Sequence, residues 1–374
     1  MLHIQDPTFD GNKLLHEALL DACSEASYGA GAYAFVTSGG VRMLMEDAIF
    51  ADFISQGRYH LVIGMDEVTN TQTLSALTSV RQHTNNLSIN AFVHDTNGST
   101  FHPKFSWFKT NDGGVIVVGS GNLTQKGLRR NREAFVFQHV SEEEIAQVEA
   151  TWNQWITSSA EYLKTITDNE VVEKTAENSR QAAARPRHRI LRRPDRREEV
   201  EVMVPTDEQD EADAWTYDEN SSVLIAEIPG RANGNNRWSQ ANFDAQTFRE
   251  YFGAQPGVNG AYRLIMRNVL WDGTLGETKI RPSISVASAN YRFELTNAEG
   301  LPYPNNGRPL GVFVKVSERT FLYMLVFPTH EGHEQLQSIL NAHRIRADRL
   351  VRYRTTAREL SEICPVLPLL YYLT

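Results

Sequence analysis

Cysteine is scarce in this sequence, which has only Cys23 and Cys364 among its 374 residues. Two cysteines provide neither a disulfide framework nor a zinc site built from cysteine. We therefore expect a protein of the reducing cytoplasm. No metal and no other cofactor are expected.

Long apolar runs are also missing. No stretch approaches the roughly 20 apolar residues that a membrane-spanning helix needs. The first residues, MLHIQDPTFDGNKLL, lack the charged segment followed by an apolar segment that marks a secretory signal. A membrane is therefore not expected among the partners of this protein.

A positive net charge is the third absence, because the formal charge is -9. This balance argues against a surface coated in basic charge. It does not exclude a local basic groove, since a bound polyanion responds most strongly to the field near it. An apolar content of 41% over 374 residues allows a sizeable core, and the length favours two domains.

Helical and strand patterns alternate through residues 1–165, which predicts an α/β domain. The strand-like runs include AYAFVTS, YHLVIGMD and SINAFVH. The helical patterns between them include KLLHEALLDAC, VRMLMEDAIFADFI and TQTLSALTSVRQH, and a further helix is predicted over about 141–163.

Residues 166–215 are predicted to be a charged linker. They contain an Arg-rich block followed by an acidic block, with few aromatic residues. An exposed linker explains this composition, and so does a segment that also touches a polyanion. Both interpretations place a domain boundary here.

Residues 216–374 are predicted to form a mostly β domain, a small barrel with a C-terminal helical extension. The β-branched and aromatic runs SSVLIAEIP, AYRLIMRNVLW, PLGVFVKVSE and TFLYMLVFP are separated by turn residues. HEQLQSILNAHRIRADRLVRYR is predicted to be helical, and the tail CPVLPLLYYL is expected to pack onto the body.

One stretch, FHPKFSWFKTNDGGVIVVGSGNLTQKGLRRNREAFVF, holds the strongest candidate site. His102 and Lys104 are two residues apart and share a face if they lie on a strand. Ser120 and Asn122 follow an apolar strand, and Glu133 begins the next one. The polar groups of three strand ends are therefore predicted to converge at one edge of a sheet.

An imidazole, an ammonium, an amide and a carboxylate in one place suit phosphoryl transfer. In this hypothesis His102 is the nucleophile, Lys104 and Asn122 stabilise the non-bridging oxygens, and Glu133 orients the imidazole. Each residue alone has a structural alternative, and an isolated His-x-Lys is common by chance. The joint pattern carries the hypothesis.

This pattern resembles the phospholipase D superfamily, whose signature pairs H-x-K with a later G-[SG]-x-N. HPK at 102–104 and GSGN at 119–122 match it. The Asp of the usual H-x-K-x4-D form would fall at Lys109. The sequence looks more similar to the branch of BfiI-type restriction endonucleases, in which a glutamate after the Asn takes the acidic role, here Glu133.

The resemblance implies a metal-independent phosphodiesterase. Because the superfamily's reaction uses two such motifs and this chain has one, it also implies a homodimer through the nuclease domain, with the site at the two-fold interface.

The second half resembles the B3-like pseudobarrel of BfiI-type enzymes, which reads duplex DNA with two loops called arms. The first arm is dense in groups that bond base edges, although a polar hairpin tip is the structural alternative. Its candidate residues are Arg231, Asn233, Asn235, Asn236, Arg237, Trp238, Ser239 and Gln240. The second arm is assigned to Ser288, Asn290, Tyr291 and Arg292, with Arg267, Lys279 and Arg281 as alternative contacts.

Three classes of function are open. The preferred one is a type II-like restriction endonuclease that cuts at a specific duplex sequence. Some related endonucleases act only with a separate ATP-driven translocase, and this chain has no ATPase motif, so such a subunit and a cognate methyltransferase are implied partners. The alternatives are a phospholipase or non-specific nuclease, and a DNA-binding module with a degenerate nuclease half.

A metal-dependent nuclease is a weaker alternative. Asp66 and Glu67 follow a predicted strand and could suit a metal site, but no further carboxylate-x-Lys partner is found. A helix cap and first-turn charges before TQTLSAL explain both residues better.

Overall fold

The computed structural model describes residues 1–9, 11–66, 68–94, 99–183, 188–192, 199–203, 215–230, 240–254, 262–282, 291–295, 298, 300–347 and 349–374. These residues divide into two compact units. The first holds the described residues up to 183. The second holds the strands at 188–192 and 199–203 and the described residues from 215 onward.

A mixed sheet of eight strands forms the centre of the first unit. The strands are β1 (Leu2–Gln5), β2 (Tyr28–Tyr33), β3 (Arg58–Gly64), β4 (Leu87–Phe92), β5 (Lys104–Thr110), β6 (Gly113–Gly119), β7 (Glu133–Val140) and β8 (Leu163–Thr165). Their order across the sheet is β1-β7-β6-β5-β2-β3-β4-β8. Strands β2, β3 and β4 are parallel to one another, and the alternation with helices confirms the predicted α/β class.

Six α-helices are described in the first unit. They are α1 (Leu15–Cys23), α2 (Ser38–Met45), α3 (Ala48–Gln56), α4 (Thr71–Gln82), α5 (Glu142–Ser158) and α6 (Asn169–Ala183), and a π-helical turn spans Lys126–Arg130. The helix predicted for VRMLMEDAIFADFI is in fact two helices. Asp47 interrupts it because its carboxylate accepts a hydrogen bond from the backbone of Ile49 at 2.9 Å and so starts α3.

Helix α5 packs against one face of the sheet. Trp107 of β5 and Ile145 and Trp152 of α5 are at most 4% exposed and belong to one apolar cluster. Burying each such side chain contributes roughly 1.5–3 kcal/mol. This packing fixes α5 beside the strands that lead to the candidate site.

Helix α6 lies in the segment that the sequence predicted to be a linker. Asn178 anchors it, because its side-chain amide donates to the backbone oxygens of Met65 at 2.9 Å and Thr69 at 2.8 Å. Two antiparallel strands, β9 (His188–Arg192) and β10 (Glu199–Met203), also lie within 166–215. Regular structure therefore extends into the highly charged sequence.

The second unit is mostly β, as predicted. Its further strands are β11 (Ser222–Glu227), β12 (Gln240–Phe243), β13 (Arg263–Val269), β14 (Leu275–Pro282), β15 (Tyr291–Glu294), β16 (Leu310–Ser317), β17 (Thr320–Val326) and β18 (Arg352–Thr356). Six of them form a sheet in the order β14-β13-β17-β16-β11-β18, and β12 pairs with β15. Among the described residues this sheet is open, with β14 and β18 at its edges, and no closed barrel is seen.

Among the described residues, three short α-helices accompany this sheet. They are α7 (Ala245–Glu250), α8 (His333–Ala342) and α9 (Ala357–Ile363), and a 3-10 helix spans Pro368–Tyr372. The long helix predicted from His333 is wrong in its second half, because VRYR enters β18 and pairs with β11. The tail packs onto the body as predicted: Tyr217 N donates to Tyr372 O at 3.0 Å.

The start of α2 lies very close to the loop that follows β6. Thr37 N donates to Leu123 O at 3.1 Å, and this contact takes the chain out of β2 earlier than the pattern AYAFVTS predicted. A Cβ atom at Gly40 would lie 2.1 Å from Leu123 O, whereas one at Gly39 would meet only the side chain of Gln125, at 3.0 Å. Of these two glycines, Gly40 therefore faces backbone atoms, whereas Gly39 faces a side chain that can move.

We predict that Gly40→Ala destabilises the first unit by roughly 1–3 kcal/mol, because overpacking against backbone cannot be relieved by a side-chain rotation. Gly39→Ala is the matched control on the same helix. It should leave stability unchanged or raise it slightly, since Gln125 can move. Thermal unfolding of both variants tests this, and equal melting temperatures would contradict the close approach.

Candidate active site

Three strand ends meet at one edge of the first sheet. Phe105 pairs with Val118 and Gly119 pairs with Phe135, so the start of β5, the end of β6 and the start of β7 are neighbours. The end of β2 joins them, because Tyr33 pairs with Lys104. The structure thus places the polar residues of these segments along a single edge.

His102 and Lys104 are in direct contact. The Lys104 Nζ atom lies 2.9 Å from His102 Nδ1 and 3.2 Å from the His102 backbone oxygen. His102 precedes β5 rather than lying on a strand, which corrects the sequence prediction; its ring packs edge-on against Phe35, with centroids 5.8 Å apart. The imidazole is exposed, so a ligand can reach it.

Lys104 has a perturbed pKa. Partial burial lowers the pKa of the Lys104 ammonium below its ordinary value, and the charge of Glu133 acts in the opposite direction. The carboxylate of Glu133 therefore lies close enough to Lys104 to favour its charged form. This coupling joins the two halves of the candidate site.

Glu133 is held by two neighbours. Its Oε2 accepts a hydrogen bond from the Ser120 hydroxyl, and its Oε1 accepts one from Asn131 Nδ2 at 3.0 Å. Ser120 Oγ in turn accepts from the backbone of Ala134 at 3.1 Å. The role expected for Glu133, orienting the imidazole of His102, remains a hypothesis. Asn131 was not among the sequence candidates, although it lies only two residues before Glu133.

Asn122 lies in the loop after β6. Its Oδ1 accepts from the backbone N–H of Phe35 at 3.3 Å, which ties the loop to the chain that leaves β2. Because the carbonyl side of the amide makes this bond, the NH₂ group is the part of Asn122 with the chemistry to donate to an anion.

Buried polar side chains support the segment between Asn122 and Glu133. Gln5 is fully buried, and its amide donates to Gly127 O at 3.1 Å and Asn131 O at 3.0 Å. Its own oxygen accepts from the backbone of Leu15 at 2.8 Å. The sequence did not indicate this role, because a glutamine in a strand is normally exposed to solvent.

Arg129 in the π-helical turn makes a second support. It is buried, with Nη1 3.1 Å from His16 Nδ1 and 3.7 Å from Glu17 Oε1. A buried guanidinium requires such partners, because desolvating an unpaired charge is costly. Helix α1 thus carries buried polar groups that hold the π-helical turn between Asn122 and Glu133.

The other sequence candidates fall in three groups. The first group lies outside the described part of the chain and consists of the first-arm residues 231–239 and the second-arm residues Ser288 and Asn290. In the second group only the side chains lie outside it; these are Gln240, Arg281, Tyr291 and Arg292. Arg267 and Lys279 form the third group. Arg267 donates to Gly276 O at 2.7 Å, and Lys279 pairs with Glu277 at 2.6 Å. These two residues therefore make contacts within the chain.

The helix cap that the sequence analysis preferred as the explanation of Asp66 is wrong. The side chain of Asn70, not Asp66, caps α4 by accepting from Thr73 N at 3.0 Å, and Glu67 lies outside the described residues. Within the described ranges, no group of three or more His, Cys, Asp or Glu side chains is placed to hold a metal ion. Lys109, at the position of the usual Asp, pairs with Glu149 at 2.7 Å.

Comparisons with known proteins give only distant structural likenesses. No family model and no curated protein matches the sequence. NucT from Helicobacter pylori is similar at 13% identity, over 44% of this chain and 98% of that chain, with a TM-score of 0.31. Nuc, a phospholipase D family member from Salmonella typhimurium, is similar at 14% identity, over 44% and 97% of the chains, with a TM-score of 0.31.

A phosphatidylserine synthase from Haemophilus influenzae is similar at 16% identity, over 49% of this chain and 45% of that chain, with a TM-score of 0.34. Identities and TM-scores at this level do not establish an activity. No helix in the described part of the chain is both long and apolar enough to cross a membrane.

We predict that Glu133→Gln lowers the pKa of Lys104 further, because the substitution removes the negative charge that favours the ammonium. Glu142→Gln, which removes an exposed carboxylate from the same unit, should leave that pKa unchanged. NMR titration of isotopically labelled lysine, with Lys104→Arg to assign the resonance, measures both. A pKa that stays constant in Glu133→Gln would disprove the coupling.

Proposed function

We propose that this protein is a phospholipase D-like nuclease that hydrolyses DNA phosphodiester bonds without a metal ion. The observation that supports this proposal best is the contact of the exposed His102 imidazole with Lys104. Ser120, Asn122 and Glu133 lie at the same sheet edge. This set supplies a nucleophile, a cation and an amide for the oxygens of a phosphodiester.

The reaction proceeds in two displacements. A nitrogen of His102 attacks phosphorus, the bond from phosphorus to the leaving oxygen breaks, and that oxygen takes up a proton. Water then attacks the phosphohistidine and gives a proton to the group that protonated the leaving oxygen, the phosphorus–nitrogen bond breaks, and His102 is regenerated. Lys104 and Asn122 stabilise the charge on the non-bridging oxygens in both steps.

The leaving oxygen needs a proton donor, and each chain offers one His102. In a homodimer through the first unit, the second copy of His102 supplies the proton while the first attacks. The carboxylate of Glu133, which accepts a hydrogen bond from Ser120, then orients whichever imidazole acts as the acid or base in that step. The expected orienting role of Glu133 belongs to this assembled site.

Specificity is assigned to the second unit. We propose that it is B3-like and that the arm at 231–240, with a second arm that includes 288–292, reads base edges in the major groove. Cutting at a specific sequence makes the protein a restriction endonuclease, which acts beside a cognate methyltransferase and, in some systems, an ATP-driven translocase.

A phospholipase or non-specific nuclease is the second candidate, because the same catalytic groups serve those reactions. A DNA-binding module with an inactive nuclease half is the third. Digestion of plasmid DNA in EDTA separates them. Discrete fragments support the endonuclease, a smear supports the non-specific enzyme, and a gel shift without cleavage supports the binding module.

We predict that rapid acid quenching during cleavage of labelled DNA traps the label on the protein through His102. His102→Ala should lose the adduct and reduce cleavage at least about 10³-fold, as removal of a nucleophile does in other enzymes. His83→Ala, at the end of α4, is the control and should keep both. Cleavage without an adduct, or cleavage that requires added magnesium, would contradict the mechanism.

We predict that Arg237→Ala removes a base contact worth roughly 1–3 kcal/mol and relaxes the preference at one position of the DNA site. The control variant combines Arg192→Ala with Arg193→Ala. It should at most weaken binding to all DNA sequences alike and reduce the salt dependence of binding, because phosphate contacts carry no sequence information. Competition gel shifts at two salt concentrations measure both effects. A uniform loss of affinity in Arg237→Ala would show that this loop does not read bases.

A further inference from the structure

A cleft of about 850 Å³ opens beside the candidate nucleophile, between α5 and the strands β5, β6 and β7. His102 lines it, so a ligand in this cleft lies next to the imidazole that attacks phosphorus in the proposed reaction. The rest of its wall is mainly apolar, and we term it the aromatic cleft. Its aromatic side chains are Phe101, Phe105, Trp107, Trp152 and Trp155.

Two indole groups in the wall of the aromatic cleft lack a hydrogen-bond partner. The Nε1 atoms of Trp107 and Trp152 are buried, and neither has an acceptor within the described part of the chain. An indole N–H can only donate, and a buried donor that stays unpaired is costly. A ligand that carries acceptor atoms is therefore favoured in this cleft over a purely apolar one.

Charge directs the phosphate of a ligand away from the aromatic cleft. Lys104 attracts a phosphate to the strand ends, where its Nζ lies 2.9 Å from His102 Nδ1. Of the described residues that line the cleft, Glu144 alone has a carboxylate, and none is a lysine or an arginine. Glu144 accepts a hydrogen bond from the backbone of Ser141 at 2.8 Å, which lowers its pKa and keeps it charged. Because this carboxylate repels phosphate, the group that enters the cleft is uncharged.

We propose that the aromatic cleft binds the base of a nucleotide next to the phosphodiester that His102 attacks. This inference rests on the proposed function and adds a binding site for a part of the substrate. A nucleobase is flat and uncharged, and its edges carry acceptor atoms. Every base has a face that stacks on aromatic side chains, so the cleft accepts any of the four bases.

The acyl chain of a phospholipid is the competing occupant, because it also lies near a phosphodiester and is apolar. A hydrocarbon chain offers no acceptor to the indole N–H groups of Trp107 and Trp152. It also gains nothing from the exposed polar side chains in the wall, which bond the edge of a base. These side chains are Gln138, Gln147 and Thr151. A base is therefore the better fit.

A base that occupies the aromatic cleft has to leave the stack of a duplex. Extrusion is least costly where the base is mismatched or already unpaired. We therefore expect faster cleavage where the nucleotide beside the scissile bond is unpaired than where the same sequence is fully paired.

NMR of the indole N–H groups in protein with isotopically labelled tryptophan tests the binding. Deoxyadenosine monophosphate should shift the signals of Trp107 and Trp152, which Trp107→Phe and Trp152→Phe assign. The signals of Trp215 and Trp271 in the second unit are internal controls, because their indole nitrogens are also buried without a partner in the described part of the chain. These two signals should not move. Deoxyribose phosphate, which lacks the base, should leave all four signals unchanged.

Thr151→Trp should fill the aromatic cleft from its rim, because Thr151 is exposed and lines the cleft. It should weaken the binding of deoxyadenosine monophosphate at least about fivefold, the effect of losing one base stack. Gln154→Trp is the matched control, since Gln154 is exposed on the same helix and is not among the residues that line the cleft. It should bind as the native chain does, and equal melting temperatures would show that both variants are folded. Unchanged binding in Thr151→Trp would overturn the assignment of the cleft.

The outcomes separate the base-binding cleft from the proposed function. A chain that forms the phosphohistidine while deoxyadenosine monophosphate moves neither cleft signal would overturn the cleft and leave the nuclease standing. Movement of both signals in a chain that forms no phosphohistidine would support the cleft and contradict the nuclease mechanism. Equal shifts with deoxyribose phosphate would show that the base is not bound. Shifts at a lower concentration of dihexanoylphosphatidylcholine than of the nucleotide would assign the cleft to an acyl chain, and either result would overturn the proposal.

Discussion

The hydrogen-bond register of β5, β6 and β7 is the constraint on which the candidate site depends. It sets Phe105 beside Val118, next to the pair of Lys104 with Tyr33, and aligns the start of β7 with the end of β6. A slip of one residue in either pair would turn each side chain to the opposite face. The apolar runs within these strands therefore position the polar groups at their ends.

Buried polar contacts outside these strands hold the segment that connects β6 to β7. Gln5 and Arg129 bond to the backbone and to helix α1 in places where water does not reach. Such groups are costly unless every partner is present, so they favour a single arrangement of the turn between Asn122 and Glu133. Helix α2 restricts the same segment sterically, because Gly40 at its start lies close to the backbone of Leu123.

The sequence predicted the α/β unit and the convergence of strand ends because hydrophobic periodicity and polar residues at strand ends are local signals. It did not predict where β2 ends, since that depends on contacts with distant segments: Ala34 N donates to Pro103 O, and Thr37 N donates to Leu123 O. Gln5 was missed for the same reason, since the backbone oxygens that it binds belong to Gly127 and Asn131, far from it in the unit's sequence. VRYR was assigned to a helix because its partner, β11, lies over 100 residues away.

The polar groups of the candidate site and the exposed apolar side chain beside them result from one arrangement of strands. Polar residues follow the end of β6 and open β7, and the 44% exposed Val118 of β6 lies opposite the half-buried Val136 of β7 just inside them. A ligand that covers this end of the sheet also removes water from His102 and Lys104. Water exclusion strengthens the attraction of the ammonium for a phosphate oxygen, although it also lowers the pKa of Lys104. The charge of Glu133 opposes that shift, so the carboxylate favours the charged ammonium that attracts a phosphate oxygen.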